Sequence, residues 1–184
     1  MRYNNFYINI ILVKNILVLL LFFLSYSCSP ISSKIEPNEY VECPLVFFAA
    51  EHRNYLKSNN DENITFETLA FKAEINNYAY NKPCIINNNI YHFSLEVLLI
   101  ADPIGVVFPD ISMPVYVALL DSSNKIIEIQ YFSVEGEFEK DTDSEKYLQT
   151  EISKIFNFKA QSNSIVSNLI IGFMLDKKQK DFLN

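Results

Sequence analysis

The chain has 184 residues, of which 49% are hydrophobic and 20% are charged, a composition that favours a globular domain over a disordered segment. Its 15 basic and 22 acidic residues give a formal net charge of −7. This charge, with no basic cluster, argues against nucleic acid as a partner, because phosphate binding needs grouped Lys and Arg side chains. It also argues against electrostatic docking on anionic lipid.

The first 27 residues have the pattern of a signal peptide. Arg2 and Lys14 supply the positive charge, and residues 16–24 form an apolar run that is shorter than the about 20 residues of a membrane-spanning helix. Removal of this leader takes away two of the 15 basic residues, so 13 remain against 22 acidic ones and the net charge becomes −9. We therefore predict an N-terminal signal helix that is cleaved from an exported domain.

Small residues precede Cys28, as in a bacterial lipobox, where the cysteine receives diacylglycerol and becomes the new N-terminus. Ser25 stands where the lipobox has Leu, and Ser25 and Ser27 also suit an ordinary signal peptidase. Lipidation at Cys28 is the prediction, with plain secretion and an uncleaved anchor as alternatives. Ser29 in place of Asp favours the outer membrane in a cell that has one.

A segment rich in Pro, Ser and charge separates Cys28 from the first predicted strand. It shows no sustained hydrophobic period and is typical of a linker that lifts a domain clear of lipid head groups. We therefore predict a signal peptide at 1–27, a flexible tether at 28–42 and one folded domain at 43–184.

The chain has three cysteines, an odd number for an exported protein. With Cys28 lipidated, Cys43 and Cys84 remain as a natural disulfide pair, and closing that loop would stabilise the fold by roughly 3–4 kcal/mol. Two buried free thiols are the alternative. No CxxC motif indicates a redox or metal site.

Hydrophobic periodicity predicts strands through most of the domain. Residues 90–100 alternate most clearly between apolar and polar, and residues 69–75 follow the same pattern. Residues 115–120 and 126–134 flank a polar turn and predict a hairpin. Residues 165–175 are nearly all apolar and predict a central strand.

Weaker signals complete the predicted fold. Residues 46–50 and 145–155 are predicted to form short strands. The polar segment that follows Arg53 is predicted to be a loop as far as Asn63, and residues 176–183 are predicted to form a helix capped by Asp176. About seven strands with almost no helix predict an all-β protein, an antiparallel β-sandwich of immunoglobulin-like or fibronectin-like topology. A small barrel is the alternative.

No catalytic signature is present in the sequence. His92, Ser94 and Glu96 share one predicted strand face, but same-face neighbours stand about 6.6–7 Å apart, too far for a proton relay. His52 reads as a surface loop residue. The three glycines are isolated, which rules out a nucleophile elbow, a P-loop and a dinucleotide fingerprint. We expect no enzymatic activity and no cofactor.

Six carboxylates recur at every second position after the predicted hairpin. Extended backbone would place them on one side, and oxygen ligands suit Ca²⁺, but the EF-hand pattern fails at its Gly and Glu positions. A solvated loop is the prediction, and a cation site is the alternative. The residues are Glu135, Glu137, Glu139, Asp141, Asp143 and Glu145.

Four aromatic residues could line a ligand groove. Tyr78 and Tyr80 are spaced for one strand face, and Phe156 and Phe158 for another. Because aromatic residues at strand spacing are more often core residues or cross-strand pairs, we predict that they pack rather than bind.

Several short motifs together resemble a family of predicted lipoproteins from alphaproteobacteria. The resemblance covers nearly all of the mature chain and implies its localisation and domain extent but no activity. The chain departs from the family pattern at the imperfect lipobox and at residues 51–53. The motifs are Cys28, Cys43-Pro44-Leu45-Val46, Phe71-Lys72-Ala73-Glu74-Ile75, Cys84, Val115-Tyr116-Val117-Ala118-Leu119-Leu120-Asp121 and Ile171-Gly172-Phe173-Met174-Leu175.

These observations lead to one functional expectation and one alternative. We expect a cell-envelope protein, held in the membrane through lipidated Cys28 and facing the periplasm, that binds another envelope protein by strand addition at a sheet edge. The alternative is a periplasmic domain that binds a small molecule or a cation such as Ca²⁺.

Overall fold

Two β-sheets enclose one apolar core in the computed structural model, which describes residues 39–59, 64–105, 108–161 and 166–183. Within these ranges, ten strands and one short helix confirm the all-β sandwich. The predicted signal helix, Cys28 and the tether to residue 38 lie outside the described residues. In chain order, the elements are β1 (Glu39–Val41), β2 (Leu45–Phe48), β3 (Asn54–Ser58), β4 (Leu69–Tyr80), β5 (Cys84–Asn87), β6 (Ile90–Pro103), β7 (Asp110–Leu120), β8 (Ile126–Glu137), β9 (Thr150–Gln161), β10 (Asn168–Phe173) and α1 (Lys177–Leu183).

The larger sheet has six strands and is built around β6. Strand β9 pairs with one side of β6, while β4 and β5 share its other side. Strand β3 pairs with β4, and β1 pairs with β5. All these pairings are antiparallel, as predicted.

In strand β6, the buried residues are the apolar ones that alternate with polar residues in the sequence. Five alternating apolar side chains are buried, because successive side chains point to opposite faces and one face lies on the core. This confirms the strand predicted over residues 90–100. The buried residues are Tyr91, Phe93, Leu95, Val97 and Leu99.

The smaller sheet has the strand order β2-β10-β7-β8. Strands β7 and β8 form the predicted hairpin, and β10 is central, as its apolar sequence predicts. However, β2 pairs with β10 in parallel, so the sandwich is not antiparallel throughout. A parallel pair needs a long crossover connection, and sequence periodicity does not reveal it.

The prediction of a loop between Arg53 and Asn63 is wrong over its first half. Asn54–Ser58 forms β3, whose Tyr55 and Leu56 are both buried although polar residues surround them. The late strand also starts further along the chain than predicted, since β9 begins at Thr150 rather than at residue 145. Glu39–Val41, which the sequence assigns to the tether, pairs with β5 as β1.

The short C-terminal helix begins where its capping residue predicts. The Gln179 amide donates to Asp176 Oδ1 and the Asp176 amide donates to Gln179 Oε1, both at 2.8 Å, the reciprocal arrangement of a capping box. Helix α1 is seven residues long. Within residues 39–59, 64–105, 108–161 and 166–183, no helix is long and apolar enough to span a membrane.

Candidate functional site

The predicted cysteine pair is bonded. Cys43 and Cys84 form a disulfide with a Cα–Cα distance of 5.3 Å, and Cys84 is buried beside Val41, its register partner. The bond joins the segment between β1 and β2 to β5 in the larger sheet. Its role is structural, because a disulfide of this kind offers no free thiol.

The three polar residues of β6 lie on its outer face but form no relay. Ser94 is buried and donates to Asn157 Oδ1 at 2.8 Å, a cross-strand bond to β9. Glu96 accepts from Ser153 and Asn81, and the Ser153 bond lowers the pKa of the Glu96 carboxyl. Two of these bonds join β6 to β9, the third joins Glu96 to Asn81 just after β4, and His92 takes part in none of the three.

The acidic run divides between a strand end and a tight turn. Glu135 and Glu137 belong to β8, whereas Asp141 accepts from the Asp143 amide at 3.0 Å and from Ser144 Oγ at 2.6 Å. The Ser144 bond in particular lowers the pKa of the Asp141 carboxyl. In the part of the chain that the structure describes, no three His, Cys, Asp or Glu side chains come close enough to hold a metal ion.

The four aromatic residues pack rather than line a groove. Phe156 and Phe158 are fully buried, and Phe132 contacts both rings, at centroid distances of 4.5 Å and 5.9 Å. The Tyr80 hydroxyl donates to the Pro44 carbonyl at 2.6 Å, and Tyr78 packs edge-on against Tyr80. Phe156 and Phe158 confirm the prediction of core packing, whereas Tyr78 and Tyr80 contact each other along one strand and Tyr78 is 36% exposed.

His52 differs from the predicted loop residue because it lies against the smaller sheet. It ends a short 3-10 turn, and its Nδ1 shares a hydrogen bond of 3.0 Å with the Tyr116 hydroxyl. Gly172 permits this approach, since a Cβ there would lie 2.8 Å from both His52 Cβ and the Tyr116 ring. Burial raises the pKa of the Tyr116 phenol.

The outer face of the smaller sheet carries an apolar surface. Register places Phe47, Ile170, Ala118 and Ile129 in one row across all four strands, and Gly172, Tyr116 and Tyr131 in the next. Exposure is concentrated on the edge strands, at 51% for Phe47 and 63% for Tyr131. We call this surface the apolar outer face; it consists of Leu45, Phe47, Ala118, Ile129, Tyr131 and Ile170.

Strand β8 is the long open edge of this sheet. It pairs only with β7 among the described residues, and no described strand pairs with its other side. Over residues 126–134 it carries a single charged side chain, Glu128, and three exposed isoleucines. The name β8 edge is used below for residues 126–134.

The other long edge strand is protected. Strand β9 pairs only with β6 in the described ranges, but it alternates buried aromatics with exposed polar residues such as Glu151 and Lys159. Lys154 is half-buried on the inward-facing side. Charged and inward-pointing side chains are devices by which proteins block edge pairing. Strand β8 has one irregularity, near Ile127, and its regular part after that residue is the more receptive of the two edges.

A groove lies beside β3, and its walls also include residues of β7 and β8. Two adjoining cavities of about 390 and 430 Å³ share Tyr55, Lys57 and Pro114 in their walls. Phe71 lines one cavity, and Asp176 lines the other. These volumes are in the range of small-molecule sites.

Sequence reasoning missed both of these surfaces for identifiable reasons. Alternation in β8 is visible in the sequence, but a strand is assigned as an edge only when its neighbours are known. The β3 groove depends on a strand that the sequence predicts as a loop. A cue exists in Tyr55-Leu56, two large apolar residues inside the polar segment.

We compared the chain with known protein families, proteins and structures. The chain matches no protein-family model, no curated protein and no solved structure.

Proposed function

We propose that this chain is a lipid-anchored bacterial cell-envelope protein whose sandwich domain faces the periplasm and binds another envelope protein. The leader and Cys28 support the anchor, and the short motifs from Cys28 to Leu175 support membership of the alphaproteobacterial lipoproteins that the chain resembles. The proposed role requires no catalytic residue and no cofactor.

The observation that carries the binding role is the β8 edge. It combines a sheet edge that no described strand covers with the exposed Ile129 and Tyr131 of the apolar outer face. An added strand would gain main-chain hydrogen bonds from the edge, while these side chains would select its sequence. Exposed apolar surface that joins an open edge is typical of an interaction site.

The anchor is tested by the intact mass of protein extracted from membranes without reducing agent. We expect a chain that begins at Cys28, carries acyl groups and is two hydrogens lighter than the reduced form. A bare Cys28 terminus would contradict the lipid anchor, and an intact Met1 would make the leader itself the anchor.

The binding role is tested by photocrosslinking in cells. A photoreactive amino acid at Tyr131 should give a discrete adduct with one envelope protein. The same probe at Ile155, which is 44% exposed on the protected β9 edge, is the matched control. Equal adduct patterns from both positions, or none from Tyr131, would contradict binding at β8.

The β3 groove favours a second candidate, a periplasmic domain that binds a small molecule. Lys57 lies between the two cavities, and the buried Tyr55 ring forms part of both walls. If this candidate is correct, a ligand from periplasmic extract should raise the melting temperature of wild-type protein but not of Lys57→Glu. Adding Ca²⁺ alone tests the cation version in the same assay.

A further inference from the structure

We propose that the β2 side of the apolar outer face lies against the bilayer that holds the anchor. The contact is made by Leu45, Phe47 and Ile170, which meet the boundary between the lipid head groups and the acyl chains. This inference goes beyond the proposed function, but it rests on one part of it, the acylation of Cys28. It gives the anchored domain a fixed orientation on the membrane.

The β2 side exposes large apolar side chains next to one another. Leu45 is 61% exposed and Phe47 is 51% exposed, and Ile170, the register partner of Phe47 on β10, is partly exposed. Contiguous apolar surface of this kind marks a contact with a protein or a membrane. Leu and Phe are among the side chains that surface-bound proteins bury at the boundary between head groups and acyl chains.

This part of the outer face carries no charge. Beside the row of Phe47 and the row of Tyr116, register forms a third row in which Leu45 and Asn168 align with Leu120 and Ile126. None of the residues in these three rows is acidic or basic, whereas the mature domain carries a net charge of −9 from 13 basic and 22 acidic residues. An anionic bilayer would repel most of the surface of such a domain, but this face can approach without that repulsion.

Acidic residues gather at the other end of the same face. Glu135 and Glu137 of β8 lie opposite Ser112 and Asp110 of β7, and Glu135 follows Ile129 by about 20 Å along the strand. The outer face is therefore apolar at one end and acidic at the other. With the apolar end against lipid, the carboxylates stay in water.

The tether joins the folded domain beside this surface. Residues 29–38 separate Cys28 from Glu39, the first residue of β1, so Cys28 lies at most about 40 Å from the domain. Pairing of β1 with β5 fixes the end of the tether. From Val41 of β1 to Leu45 of β2, four residues reach at most about 14 Å. The β2 side is thus close to the point at which the chain leaves for the membrane.

A weak contact is sufficient because the anchor has already brought the domain to the bilayer. A short tether raises the effective concentration of the domain at the surface. Strands β2 and β8 are opposite edges of one sheet and are three strand spacings, or about 14 Å, apart. The β8 edge can therefore pair with a partner while the β2 side faces lipid.

Tryptophan fluorescence tests the contact, since the chain contains no Trp and one substitution gives a site-specific probe. Full-length Phe47→Trp is purified in detergent and reconstituted into phosphatidylcholine vesicles, with or without bromine on the acyl chains. Because an interfacial apolar face is immersed by about 5–10 Å, bromine should lower the Trp emission about twofold. Ile155→Trp is the matched control, because Ile155 is 44% exposed on β9, and its emission should be the same in both vesicles.

Two measurements accompany the fluorescence. Flotation with the vesicles shows that each variant is anchored, and a melting temperature within a few degrees of wild type shows that it is folded. Equal quenching of Phe47→Trp and Ile155→Trp, or no quenching of Phe47→Trp, would overturn the membrane contact. A blue-shifted Phe47→Trp emission that bromine does not quench would assign this side to a second copy of the chain and would also overturn it.

Failure here is distinguishable from failure of the proposed function. A chain with acylated Cys28 that floats with the vesicles, but whose Phe47→Trp emission is unchanged by bromine, keeps the anchor and overturns the contact. A chain whose intact mass shows no acyl groups, and which does not float, overturns the anchor and this inference with it. The photoadduct from Tyr131 tests the β8 partner independently of both.

Discussion

At the scale of single residues, Gly172 determines how a turn docks on the smaller sheet. It lies beneath His52 and beside the Tyr116 ring, in contact with both. Gly136 is also tightly packed, but its neighbour is the terminal Cδ1 of Ile152, at 2.7 Å from an added Cβ. The two positions therefore differ in how easily their surroundings can adjust.

We predict that Gly172→Ala destabilises the protein by about 1–3 kcal/mol through overpacking, because His52 Cβ is close to the backbone and cannot rotate away. Gly136→Ala should cost less, since the flexible end of Ile152 can move. Urea unfolding followed by circular dichroism measures both. A larger cost at Gly136 would contradict this explanation.

Buried phenols make the fold sensitive to alkali. Burial, with a smaller contribution from Glu42, raises the pKa of Tyr91 to about 12, and its hydroxyl donates to the Glu42 carbonyl at 2.8 Å. Burial also raises the pKa of Tyr80. The folded state therefore holds these protons more tightly than the unfolded state, whose tyrosines have a pKa of about 10.

The sign of this linkage predicts a loss of stability at high pH. The contribution of Tyr91 is fully present below about pH 10 and is lost as the pH rises toward the folded-state pKa. As the pH rises from about 10 to about 12, the free energy of unfolding of Tyr91→Phe should fall less than that of wild type, as measured by urea unfolding at each pH. Tyr131→Phe, which removes an exposed phenol, should follow wild type.

At the scale of elements, the disulfide holds a short strand in place. β1 has three residues and is paired only with β5 in the described ranges, so its hydrogen bonds alone provide little stability. The bond between Cys43 and Cys84 closes a sequence separation of 41 residues at this junction. It therefore restricts the unfolded chain over a long loop.

Replacing Cys43 and Cys84 together by Ala should lower the free energy of unfolding by about 3–4 kcal/mol, the entropy of closing a loop of this length. Wild-type protein in reducing agent should lose a similar amount. A loss below about 1 kcal/mol in both cases would show that the fold does not depend on the crosslink.

A buried side chain of helix α1 bonds to the larger sheet. Gln179 is buried, completes the capping box with Asp176 and donates its side-chain Nε2 to the Leu56 carbonyl of β3 at 2.6 Å. A seven-residue helix is too short to be stable by itself. This contact therefore links the helix to β3.

We expect Gln179→Ala to cost about 2 kcal/mol, because it removes part of the cap and leaves the Leu56 carbonyl without this donor. Asp176→Ala should cost about 1 kcal/mol, since it removes the cap alone. Thermal unfolding compares the two variants. Equal costs would mean that the bond to β3 contributes nothing measurable.

At the scale of the whole molecule, strands from both sheets contribute side chains to one shared apolar core, and this core holds the two sheets together.

Local sequence determined the class of fold and much of its core. Strict alternation in β6 and the run of apolar residues in β10 fix which side chains are buried, because a strand with period two can place only one set on the core. The turn chemistry at 121–125 determined the β7–β8 hairpin, and Asp176 marked the start of α1.

Only the tertiary structure decided which strands are neighbours. The parallel pairing of β2 with β10, the inclusion of β3 through Tyr55 and Leu56, and the position of β8 at an open edge all depend on contacts between distant segments. Periodicity describes the two faces of one strand but not its two edges. The candidate site is an edge, and so the sequence could predict the strand but not the role of its free side.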